Sequence, residues 1–178
     1  MILSPEELKQ RFLKIRLFLA DNDAVLTDGR IVFGDYGDEL KFFDVQDGHG
    51  LGMLRRAGFI TVIVSGRKCK VNGRRAADMN IVKLYQNCHD KLKAFEKIQK
   101  KFKVSPEEVC YVGDDLIDIP ILRRAGVAVA VRNAVPEAKE AAHYVTERSG
   151  GRGAVREVCD MLLKAQGRWD EAVKRYYR

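Results

Sequence analysis

No run of apolar residues in this chain is long enough to cross a bilayer, and there is no internal repeat, low-complexity tract or stretch that reads as a linker. One compact domain over 1–178 is therefore the expectation, without a membrane span. Cysteine is scarce: Cys69, Cys88, Cys110 and Cys159 lie far apart and form no CxxC pair. The start, Ser4-Pro5-Glu6-Glu7, lacks a basic and then apolar leader and reads instead as the capping box of a short helix. Reduced thiols in a cytoplasmic protein follow from both observations. Acidic residues are the minority, 25 against 32 Lys and Arg, for a formal charge of +7. That excess could attract nucleic acid, an acidic membrane surface or a small anion, and does not choose among them. Lys97-Ile98-Gln99-Lys100-Lys101 reads as the solvated face of a helix, so neither nucleic acid nor membrane is expected as a partner.

What is present is an alternation of β-branched apolar runs, at 17–20, 59–64, 83–85, 109–112, 127–131 and 144–146, with helical patterns. It predicts an α/β fold, a doubly wound and mostly parallel sheet of Rossmann type covered by helices. Ser105-Pro106-Glu107-Glu108 is a second capping box, Gly58 a helix C-cap, and Gly126 closes a helical segment over 116–125. One stretch breaks the rhythm. Arg30 to Phe33 and Glu39 to Phe43 flank Gly34-Asp35-Tyr36-Gly37, predicting a small β-hairpin at about 30–43. The gap around it is too short for a large cap domain.

Two acidic pairs follow two of the apolar runs: Asp21-x-Asp23 after the first, and Asp114-Asp115 after Val109 to Gly113. In an open parallel sheet the carboxyl ends of the strands share one edge, where ligands bind. Four carboxylates gathered there repel one another, and a hard cation such as Mg2+ relieves them. Alternate residues leaving a strand point the same way, so Asp21 and Asp23 can both reach a bound group: one as nucleophile on phosphorus, the other as proton donor to the leaving oxygen. Ser65-Gly66 ends the apolar run 59–64, with Arg67 next at the start of a helix, and Lys91 opens another helix; these are donors for phosphoryl oxygens.

The order Asp21-x-Asp23, Ser65-Gly66-Arg67, Lys91, Gly113-Asp114-Asp115 resembles the four motifs of the haloacid dehalogenase superfamily of phosphatases. Further stretches resemble, more narrowly, the 3-deoxy-D-manno-octulosonate (KDO) 8-phosphate phosphatases: Asp28-Gly29, Glu39-Leu40-Lys41, Asp47-Gly48-His49-Gly50, Asp114 to Asp118, and Gly150-Gly151-Arg152-Gly153. The resemblance implies a Mg2+-dependent phosphatase of lipopolysaccharide synthesis, acting on a small sugar-acid phosphate through an aspartyl-phosphate. It also implies a homotetramer in which hairpins and tails of neighbours close the pocket. By the same resemblance, Asp21 is the nucleophile and Asp23 the general acid/base. The metal is held by Asp21, Asp114 and the backbone carbonyl of Asp23, while Asp115 and Asp118 orient the metal's waters and Lys91. Ser65, Gly66 and Lys91 bind phosphate, and Lys41, Arg67 and Arg152 grip the substrate carboxylate. Alternatives are a nonulosonate 9-phosphate phosphatase or a non-catalytic module that keeps the fold. Two positions depart from the family pattern. Asn22 replaces an apolar residue, and Ala24 replaces glycine where a positive φ would be strained. The tail, about 167–178, is either a substrate-contacting arm or a frayed terminus.

Overall fold

A computed structural model of the protein describes residues 2–36 and 38–178. Helix α1 (Pro5–Phe12) opens on the expected capping box, with Ser4 and Glu7 each closing on the other's backbone N–H. Strands β1 (Leu17–Ala20), β4 (Ile60–Val64), β5 (Lys83–Tyr85), β6 (Val109–Gly113), β7 (Val127–Ala130) and β8 (Tyr144–Val145) form one sheet. Its order is β5-β4-β1-β6-β7-β8, and every neighbouring pair is parallel. β1, β6 and β7 are buried throughout, so their runs are continuously apolar rather than alternating.

Helices flank the sheet. α2 (Val45–Arg56) packs on α7 (Ala154–Ala165), which also meets α1; α4 (Lys91–Phe102) packs on α5 (Ile119–Leu122), which meets α6 (Pro136–Glu140). α3 (Lys70–Asp78) lies between β4 and β5 in sequence. The chain winds from β1 through β4 to β5, then returns to β6 on the other side of β1. The strand order reverses at β1, and the crevice at its carboxyl end is where such sheets place ligands.

The predicted hairpin is β2 (Val32–Phe33) paired antiparallel with β3 (Glu39–Leu40), Val32 opposite Leu40. Gly34 N–H closes its turn on the Asp38 carbonyl at 2.9 Å, while Gly37 of the expected turn lies outside the described residues. Among the described residues, nothing larger stands between β1 and α2.

Three expectations change. The segment 116–125 is not one helix but a 3-10 turn, Leu116–Asp118, followed by the single turn of α5, because Pro120 has no N–H for a continuous helix. Arg67 does not start a helix: α3 begins at Lys70, with Cys69 at its N-cap position making no side-chain cap bond. The tail is not frayed. α8 (Trp169–Val173) and a 3-10 turn, Lys174–Tyr176, fold back toward the end of α2, where Arg168 donates to the Ala57 carbonyl (2.8 Å) and Arg56 to the Tyr176 hydroxyl (2.7 Å).

Candidate active site

Three strands end side by side and deliver three of the expected motifs. Asp21 follows β1 and its N–H donates to the Val112 carbonyl on β6 at 2.9 Å; Ser65 follows β4 and donates to Tyr85 of β5 at 2.9 Å; Asp114 follows β6. Gly113 is required by crowding, since a Cβ there would lie 2.7 Å from the Asp118 Cβ. Lys91, first residue of α4, reaches the same edge.

The centre of the site is a buried charge network. Lys91 Nζ lies 2.9 Å from Asp21 Oδ1 and also donates to Asp118 Oδ1. Asp118 is fully buried and takes three more donors: the Tyr111 hydroxyl at 2.5 Å on Oδ1, and the N–H groups of Asp114 (2.8 Å) and Asp115 (3.2 Å) on Oδ2. Burial pushes Asp21 up to about 6, and the Lys91 charge opposes that push while Asp118 adds to it. Burial alone would depress Lys91, but the two carboxylates beside it more than reverse this and hold its ammonium above the ordinary range. Asp114 is pushed up to about 8, first by burial and then by the charges of Asp21 and Asp118.

Asp21, Asp114 and Asp118 each offer an oxygen within 4.8 Å of the others. The three are not equivalent. Both Asp118 oxygens are saturated by donors, whereas Asp114 Oδ1 is buried with no hydrogen-bond partner among the described residues. An orphaned buried carboxylate oxygen beside a second carboxylate suits a hard divalent cation. The residues present therefore fit a hard divalent cation, with Asp21 and Asp114 as the side chains that would hold it.

Asp23 lies beside this cluster and is partly exposed. Its Oδ1 accepts from Lys41 Nζ at 2.5 Å and from Asn22 Nδ2 at 3.0 Å. Lys41, on the hairpin's return arm, has a fully buried side chain. The neighbouring Glu39 accepts from Arg67 at 2.5 Å, tying the hairpin to the loop after Ser65. The Ser65 hydroxyl accepts from the Arg67 N–H at 3.2 Å, and its carbonyl from Cys88 N–H at 3.0 Å. Arg152 is exposed, 4.0 Å from Asp28, on a turn pressed against the catalytic loop: a Cβ on Gly150 would fall on the Ala24 carbonyl. Asp47 holds that turn by accepting from Arg156 N–H (2.7 Å) and Gly153 N–H (3.3 Å).

The expected residues thus gather at one edge, with two refinements. Asp115 is exposed and caps its own 3-10 turn through Leu116 N–H (2.7 Å), so of these two aspartates only Asp118 contacts Lys91. Asn22, between the two aspartates, is buried and bonded to both Asp23 and Asn72. Sequence alone assigns no role to Tyr111, Asn72 or Asp47, although Asp47 stands in one of the stretches that carry the resemblance. The one signal for Tyr111 is a phenol in an otherwise apolar buried strand, which demands a partner.

Known proteins share the sequence and fold of this chain. A family model of haloacid dehalogenase-like hydrolases matches residues 70–157. The chain is 49% identical over 158 residues to 3-deoxy-D-manno-octulosonate 8-phosphate phosphatase KdsC of Salmonella typhi, covering 89% of this chain and 84% of that protein. The Yersinia pestis phosphatase of the same name has a crystal structure that matches with TM-score 0.91 and 44% identity, over 93% of this chain and 89% of that one. The Moraxella catarrhalis phosphatase, solved with magnesium ion, phosphate ion and a KDO molecule, matches with TM-score 0.94 and 38% identity, over 96% and 98%.

Proposed function

Because this chain belongs to the haloacid dehalogenase-like phosphatases, in the family of the 3-deoxy-D-manno-octulosonate 8-phosphate phosphatases, we propose that it hydrolyses 3-deoxy-D-manno-octulosonate 8-phosphate to the free sugar acid and phosphate. The observation that carries this reading is the buried Asp21–Lys91–Asp118 network at the sheet's switch point, with the unpartnered Asp114 oxygen beside it.

In this reading the Asp21 carboxylate attacks phosphorus, forming an acyl-phosphate bond as the bond to the sugar oxygen breaks. Asp23 gives a proton to that oxygen, then takes one from the water that attacks the acyl phosphate and frees Asp21. Lys91 offsets charge on Asp21 and on the phosphoryl oxygens, and the Ser65 hydroxyl and Gly66 N–H donate to them. Mg2+, held by Asp21, Asp114 and the Asp23 carbonyl, would supply further charge neutralisation for the phosphoryl group. Lys41, Arg67 and Arg152 would supply positive charge for the carboxylate of the sugar acid, Lys41 and Arg67 from their present pairings with Asp23 and Glu39. The hairpin exposes Val32, Phe33, Leu40 and Phe42, apolar surface that suits a homotetramer in which copies complete each other's pocket. Four unpaired cysteines suit the cytoplasm, where the product would enter lipopolysaccharide synthesis.

Phosphate release over a panel of sugar phosphates, with Mg2+ and with a chelator, tests the proposal. It predicts turnover confined to the eight-carbon acid and dependent on the metal. Preference for a nine-carbon acid, or undiminished turnover under chelation, would contradict it.

A further inference from the structure

Asn22 sits between the two aspartates, 1% exposed, and its Nδ2 makes two hydrogen bonds, to Asp23 Oδ1 (3.0 Å) and to Asn72 Oδ1 on α3 (3.2 Å). The same Asp23 oxygen accepts from Lys41 Nζ. With two donors on Oδ1, a proton on this carboxyl group resides on Oδ2, so both the plane of the group and the place of its transferable hydrogen are set. We propose that Asn22, braced by Asn72, is a positioning residue that fixes Asp23 for proton transfer, and that it is needed because Ala24 holds the next turn in a strained conformation. The inference rests on Asp23 being the general acid/base.

Three observations support it. Ala24 has φ +62°, a left-handed conformation that disfavours any residue with a Cβ. Asn22 anchors this turn from its other end: its carbonyl accepts from the N–H groups of Leu26 (2.9 Å) and Thr27 (3.1 Å) while its side chain reaches α3. The pair also carries a cost, because the buried Asn72 Nδ2 has no partner among the described residues. Two apolar residues would fill the same space without an orphaned amide, so packing alone does not account for the pair.

In the first half-reaction, the Asp21–phosphorus bond forms, the phosphorus–sugar oxygen bond breaks, and the proton on Asp23 Oδ2 moves to the departing oxygen. A p-nitrophenolate leaving group needs no such proton. The test is the first-turnover rate of leaving-group release by the full-length Asn22→Leu enzyme, using 3-deoxy-D-manno-octulosonate 8-phosphate and p-nitrophenyl phosphate. Release of the sugar should slow about tenfold and release of p-nitrophenolate less than twofold, with KM nearly unchanged, since correct general acid catalysis supplies about 100-fold or more in full. The double variant Asn22→Leu/Ala24→Gly, whose relaxed turn no longer needs the brace, should recover most of the sugar rate. Equal slowing of both substrates, no slowing, or no recovery in the double variant would overturn the inference. Asp23→Asn run alongside separates the causes: if it slows both first turnovers alike, the acid assignment itself fails and the inference falls with it.

Discussion

Asp118 shows how a residue outside the chemistry can hold the site together. It accepts four donors, from Lys91, Tyr111, Asp114 and Asp115. Removing one partner of a buried ion pair typically costs about 3–5 kcal/mol. Asp118→Ala should therefore lower unfolding stability by about that much in urea titration, and a loss below about 1 kcal/mol would show that the network is not structural. Ala24 is strained in the opposite sense. A left-handed alanine costs about 1–2 kcal/mol and the extra freedom of an unfolded glycine about 0.5–1, so Ala24→Gly should stabilise the fold by roughly 0.5–1 kcal/mol. A lowered melting temperature would contradict this. At this scale the sequence was readable where chemistry follows from place: Asp21, Ser65, Lys91 and Asp114 stand at strand ends or a helix start, positions that periodicity reveals. Tyr111 and Asn72 were not readable, because each matters through one contact to a residue distant in sequence or on another element.

Elements were legible where the hydrophobic pattern was unambiguous. β1 and β5 match their apolar runs residue for residue, and β4, β6, β7 and β8 differ from theirs only at an end. The pattern misled where two local signals compete with it. Pro120 has no N–H for a continuous helix, and Asp118 closes a capping box on the Asp114 and Asp115 N–H groups, so the segment starts as the 3-10 turn Leu116–Asp118. One element junction carries a pH dependence. At the entry to β8, His143 Nδ1 accepts from Ala128 N–H at 3.0 Å while the His143 backbone N–H donates to the Ala128 carbonyl at 2.8 Å. Burial, followed by the nearby Arg11 charge, pushes this imidazole down to about 4 from its usual 6.5. The folded state thus favours the neutral ring, so its contribution is complete above about pH 6.5 and is lost as pH falls from there through about 4. His143→Asn keeps an acceptor near Nδ1 without titrating. Melting temperature measured across this window should fall less steeply for the variant than for the parent; parallel slopes would refute the assignment.

For the whole molecule, the reversal of strand order at β1 is the feature from which the site follows, since it opens a crevice where Asp21, Ser65 and Asp114 converge. The alternation of runs in the sequence implies such a crevice, but not which side chains within it remain unsatisfied. The exposed hairpin belongs to this scale as well. Phe33 is 70% exposed and Tyr36 99%, with Leu40 and Phe42 beside them, on an arm that also carries the Asp23-binding Lys41. If copies pack there, the protein should elute near four times 20.2 kDa, and Phe33→Glu should shift it to smaller species and reduce activity on the sugar phosphate. A parent that elutes as a monomer at full activity would remove the tetramer from the account.

The central claim is that Asp21 itself receives the phosphoryl group. Acid quench during turnover, borohydride reduction of the acyl phosphate and peptide mass analysis test this directly. The account predicts homoserine at position 21, formed only in the presence of substrate, and none in Asp21→Asn, which should also release no phosphate. Full turnover with an unmodified Asp21, or an active Asp21→Asn enzyme, would contradict it.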